Sequence, residues 1–146
     1  MKTLRTSLVA AALVAAPLVA VANPCTDAGN NAKADQALGL ARALKFTEAE
    51  GAAGAVLGAC ATHPVAVAAL GQSIVGQKRY DDAVLRMTTA IAAKPDLSYA
   101  YLWRGYAYYY KKQYDKMVGD FETFLKLAPT APEAAAVKQL LASLRR

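Results

Sequence analysis

Past residue 22 the apolar positions of the chain recur at i, i+3, i+4 and i+7, with almost no strict alternation. That spacing predicts helices throughout. A longer period lies over it. When Pro64–Pro95 is set above Ser98–Pro129 without a gap, Gly71 falls on Gly105, Lys78 on Lys112, Tyr80 on Tyr114, Asp81 on Asp115 and Pro95 on Pro129. Every pair is 34 residues apart. The unit that repeats is a helix, a turn and a second helix, closed by a proline that lacks the amide donor a helix interior needs.

A 34-residue helix-turn-helix period resembles the tetratricopeptide repeat (TPR) family. The residues carrying the resemblance are Val67, Leu70, Gly71, Ile74, Ala83, Met87, Ala90 and Pro95 in one unit. In the next they are Tyr101, Arg104, Gly105, Tyr108, Met117, Phe121, Phe124 and Pro129. The resemblance implies an all-α fold, a right-handed superhelical stack of antiparallel helix pairs. Gly71 and Gly105 would sit where the two helices of a unit cross, with Tyr101, Tyr108, Met87 and Phe121 filling the space between them. Asp81 and Asp115 stand where an N-cap carboxylate is expected. The second unit departs from the family: Arg104 replaces an apolar residue, and Met117 and Phe124 replace alanines.

One further period back lies a degenerate unit. Phe46 falls under Tyr80 and Ala49 under Ala83, while Leu38-Gly39 is displaced by two residues from Leu70-Gly71. Thr47-x-x-Glu50 reads as a capping box for its second helix. Gly51, Gly54 and Gly58 weaken that helix by about 1 kcal/mol each relative to alanine. After Pro129, Thr130-x-x-Glu133 reads as another box, opening a capping helix that runs to about Leu144. The organisation is then residues 1–22 as a leader and 23–146 as one domain. Within it, units span 30–63, 64–97 and 98–131, and a C-terminal capping helix spans 132–146.

The leader reading rests on a basic start, Lys2 and Arg5, an uncharged apolar run over 7–21, and the small-x-small triplet Ala20-Val21-Ala22. Cleavage after Ala22 is expected, giving a periplasmic or secreted protein. The apolar run falls short of the ~20 residues needed to span a bilayer. Without Lys2 and Arg5 the basic count falls from 17 to 15 against 11 acids, a net charge of +4. That is too mild to argue for nucleic acid. Export makes a Cys25–Cys60 disulfide the default reading, with a redox pair as its rival. The single histidine, His63, supports no metal constellation. No cofactor is expected, and with no nucleophile motif or glycine-rich phosphate loop the chain does not read as an enzyme.

The remaining signal is aromatic. Residues 99–116 hold seven of the eight tyrosines and the only tryptophan. In the family, the first helices of successive units line a concave groove that receives a peptide. Carried across by position, its sites are Tyr99, Leu102, Tyr106, Tyr109 and Tyr110, faced by Val65, Ala68, Gln72, Val75 and Gly76. The five share one helical stripe, and the competing reading buries those rings under the final helix. Trp103 lies off both faces and receives no role. Lys78-Arg79 and Lys111-Lys112 make a basic edge that could steer an acidic partner. The expected function is a non-catalytic interaction module of the cell envelope that binds a protein or peptide partner. The alternative is a homo-oligomer paired through the same stripe, and glycan binding there also stays open.

Overall fold

The computed structural model describes residues 23–144. The segment expected to be a leader, 1–22, and the last two arginines lie outside them. Among the described residues seven helices follow one another: α1 Ala28–Arg42, α2 Phe46–Ala59, α3 Pro64–Gly76, α4 Tyr80–Ala93, α5 Ser98–Tyr110, α6 Tyr114–Leu127 and α7 Ala134–Leu144. Among the described residues there is no strand. The second helices of the pairs begin at 46, 80 and 114, and the first helices end at 42, 76 and 110. The 34-residue register therefore extends into the first pair.

The turns explain why the register is so regular. Leu44, Lys78 and Lys112 all adopt left-handed backbone, with φ of 60°, 62° and 59°. Around each, the next amide reaches back to close the helix end: Lys45 to Leu40, Arg79 to Ile74 and Gln113 to Tyr108, at 2.9, 3.1 and 2.9 Å. This is the Schellman closure, built here without the usual glycine. It starts the second helix two residues earlier than expected, with Lys45, Arg79 and Gln113 as the N-cap residues. Asp81 and Asp115 are thus first-turn residues rather than N-caps, where a carboxylate favours the positive helix end. Thr47 and Glu50 form no capping box, and Lys45 caps α2 without a side-chain bond. The Thr130–Glu133 box is absent as well, because α7 starts at Ala134 and the Glu133 carboxylate accepts from the Tyr99 hydroxyl.

The first pair also corrects the expected glycine. Position 37, one period before Gly71, is Ala37, fully buried. Gly39 is exposed with open space where a Cβ would be, so it is not the packing residue. Arg104 is explained by a partner the family pattern does not include. Its guanidinium forks onto the Asp120 carboxylate at 2.8 and 2.7 Å, donates to Thr88 at 3.1 Å and lies 5.6 Å from the Tyr101 ring centre. Met117 and Phe124 are fully buried with Phe121, Leu102, Val137 and Leu141 in the C-terminal core. The Cys25 and Cys60 sulfurs stand at bonding distance, with Cα atoms 5.1 Å apart.

Candidate functional site

Two adjoining hollows of about 290 and 310 Å³ run along the C-terminal ends of α1, α3 and α5. They share Gln72, Val75, Trp103 and Tyr110. Phe46, Gly76, Lys78 and Tyr80 complete the first, and Arg42, Tyr106 and Glu133 the second. Two further hollows are poorer candidates. One lies between α6 and α7, lined by Glu122, Leu125, Lys138, Leu141 and Ala142, and the other is made of five consecutive residues at the α5–α6 turn.

Trp103, which the sequence left without a role, is the centre of the cleft. A Cβ added to Gly71 would lie 2.5 Å from the Trp103 Cβ and Cγ. Glycine there lets α3 and α5 approach with the indole between them. Gly71 therefore beds a side chain from the next unit. Gly105 serves its own pair, against the Phe121 ring at 2.6 Å. Gly76 likewise makes room for Phe46, at 2.5 Å from Cε1. The Trp103 indole N–H is buried and has no hydrogen-bond partner among the described residues.

The rings pack in two sets, one around Tyr106 and one around Tyr110. Trp103 packs on Tyr106 with centroids 5.4 Å apart, and Tyr106 meets Phe121 edge-on at 5.1 Å. Tyr80 stacks on Tyr110 at 5.0 Å with only 14° between planes, leaving Tyr110 52% exposed. Burial pushes the Tyr106 phenol above its ordinary range, helped by Tyr110 and by the Glu133 charge. Tyr99 is raised first by burial and then by Glu133, with Arg42 opposing.

The expected stripe divides. Tyr106 and Tyr110 line the cleft. Leu102 does not: it is fully buried in the C-terminal core with Met117, Phe121, Phe124, Val137 and Leu141. Tyr99 is half-buried there, tilted on Phe124 at 6.1 Å and bonded to Glu133 at 3.2 Å. Tyr109 stands outside the cleft, edge-on to Tyr110 and Tyr114. Of the facing set, Gln72, Val75 and Gly76 line the cleft, whereas Ala68 is buried. Sequence reasoning missed Arg42, Phe46, Tyr80, Trp103 and Glu133. For Trp103 a signal existed, since a glycine on α3 leaves room for one large side chain from the adjacent helix.

Charge on the basic edge is partly spent inside the fold. Arg79 pairs with Glu50 at 2.7 Å and with Asp82, and Lys111 pairs with Asp81 of the preceding unit. Gln77 also donates to Glu50, at 2.9 Å. Arg42 and Lys78, at the cleft, make no ion pair among the described residues. No helix among those residues is long and apolar enough to cross a membrane.

No family model and no curated protein matches the chain. Solved structures do. The first TPR domain of human RPAP3 superposes with a TM-score of 0.62 at 21% identity, covering 78% of this chain and 93% of that one. The TPR domain of Arabidopsis OM64 gives 0.62 at 16%, over 77% and 93%. The second TPR domain of human RPAP3, solved in complex with the HSP70 peptide SGPTIEEVD, gives 0.61 at 22%, over 81% and 99%. At such identities the likeness is one of fold, and the chain folds as a TPR-type helical solenoid.

Proposed function

We propose that this chain is a non-catalytic interaction module of the cell envelope. It holds a peptide segment of a partner protein in the cleft along α1, α3 and α5. The observation that carries this reading is the aromatic floor of the cleft: Trp103 and Tyr106 are half-buried there, and Tyr110 is 52% exposed. Tyrosine and tryptophan present large apolar faces with a polar tip, which suits them to recurrent binding contacts. Gln72 adds amide hydrogen-bonding groups, and Arg42 and Lys78 add cations that make no ion pair among the described residues, with the Glu133 carboxylate lining the same cleft. The solved TPR domain in complex with an HSP70 peptide supports a peptide as the kind of ligand. The leader motif supports export, and the Cys25–Cys60 bridge suits an oxidising compartment.

A peptide library displayed on phage and selected against the full chain tests this. Enriched peptides should bind the Tyr106→Ala/Tyr110→Ala variant far more weakly, since a central tyrosine contact is worth about 2 kcal/mol, some thirtyfold. Selected peptides that bind the variant and the parent equally would overturn the reading.

A further inference from the structure

Core side chains grow along the stack. At three of the buried positions that recur with the repeat, the residues run Ala34, Ala68, Leu102; Ala49, Ala83, Met117; and Ala53, Met87, Phe121, while Ala66, Ala100 and Ala134 stay small throughout. The three buried side chains of α1 are all alanine, and α2 buries nothing larger than Val56. The three glycines of α2 have open space at their Cβ positions, so they weaken the helix without any packing return. A terminal unit of a helical stack, held only by its own packing and one neighbour, opens first when both are small.

A cross-link stands on this pair of helices, whose buried side chains are small. The Cys25–Cys60 bridge, 35 residues apart in sequence, closes a ring around the whole of α1 and α2. Beside it the Asn31 amide oxygen meets His63 Nε2 at 2.8 Å, tying α1 to the start of α3. Cys60 is buried and Cys25 is half-exposed, so a reductant has one sulfur to attack.

We propose that the bridge is a redox latch on the first helix pair. Cutting it lets α1 and α2 open as a unit while α3–α7 stay folded, and so withdraws Arg42 and Phe46 from the cleft. The cut is thiol–disulfide exchange with a dithiol. A thiolate of the reductant attacks Cys25 Sγ, forming a mixed disulfide and releasing Cys60 as a thiolate. The second thiol then displaces Cys25. Two electrons pass to the protein, the reductant's two protons end on the cysteines, and the reductant leaves as a cyclic disulfide. This opening does not depend on what the cleft binds.

Hydrogen exchange read by mass spectrometry on the full chain, oxidised and after dithiothreitol, tests the latch. Protection over 28–59 should fall by at least about tenfold, while 64–144 changes by less than about twofold. The Cys25→Ser/Cys60→Ser variant, kept without reductant, should show the same pattern. Unchanged protection in α1 and α2 would overturn the proposal. Loss spreading through α5 and α6 would overturn it equally, because the bridge would then hold the whole domain.

Discussion

The helical glycines divide into two kinds, and one substitution should act on them with opposite sign. Gly54 lies in α2 with nothing within 4 Å of its Cβ position. Gly54→Ala should therefore give the helix-propensity gain alone, up to about 1 kcal/mol. At Gly71 the same gain meets a steric cost. The added carbon would stand 2.5 Å from Trp103 Cβ and Cγ and 2.7 Å from Cδ1, against the ~3.5–4.0 Å of a normal carbon contact. Trp103 Cβ is one bond from the α5 backbone, so relief requires α5 to move or the indole to leave its bed. Overpacking of this kind costs about 1–3 kcal/mol, so Gly71→Ala should destabilise by up to about 2 kcal/mol after the gain of about 1. For a domain of this size 1 kcal/mol moves Tm by about 3–5 °C. Thermal melts by circular dichroism should show Gly54→Ala above the parent and Gly71→Ala below it. Emission from the chain's single tryptophan should shift only in Gly71→Ala. A Gly71→Ala protein that melts above the parent with unchanged emission would refute the packing argument.

Asp120→Ala should cost about 2–4 kcal/mol, because it leaves the Arg104 guanidinium, with its side chain 17% exposed, without its bidentate partner; Arg104→Met/Asp120→Leu should be near neutral, and denaturant melts would separate the two. Lys112→Gly relieves a left-handed non-glycine residue and should stabilise by about 1 kcal/mol, seen as a higher urea midpoint at unchanged slope. Tyr99 and Tyr106 both have phenols raised above the ordinary 10.0 by burial. The unfolded chain then ionises first, so their contribution is intact below about pH 10 and is lost as pH rises through the folded values. A stability–pH curve that stays flat above pH 10 in the parent, or that falls identically in Tyr106→Phe, would contradict this.

Much of this fold was legible in the sequence because repetition amplifies weak signals. Gly105, Tyr114 and Pro129 repeat Gly71, Tyr80 and Pro95 in register, and that recurrence implied helix pairs before any packing was known. The caps were misjudged for a local reason. The turn motif closes through backbone bonds at Leu44, Lys78 and Lys112, and nothing in those three side chains advertises a left-handed conformation that glycine usually occupies. The cleft was half legible. Helical spacing grouped Tyr99, Leu102, Tyr106, Tyr109 and Tyr110 on one stripe, but which part the C-terminal core covers is decided by tertiary packing that spacing does not encode. Trp103 was missed because its partner, Gly71, belongs to the neighbouring unit, and periodicity compares equivalent positions rather than contacts between units.

The claim that a partner peptide lies in the cleft is tested most directly by the Trp103 indole resonance in a ¹⁵N-labelled full chain. The chain has one tryptophan, so a single resolved side-chain signal reports from the cleft floor. Titrating a library-selected peptide should move that signal together with the Gln72 side-chain amide, and leave the exposed Leu85 on α4 unmoved. Saturable binding that shifts Leu85 and its neighbours while the indole signal stays fixed would place the partner elsewhere and contradict the account.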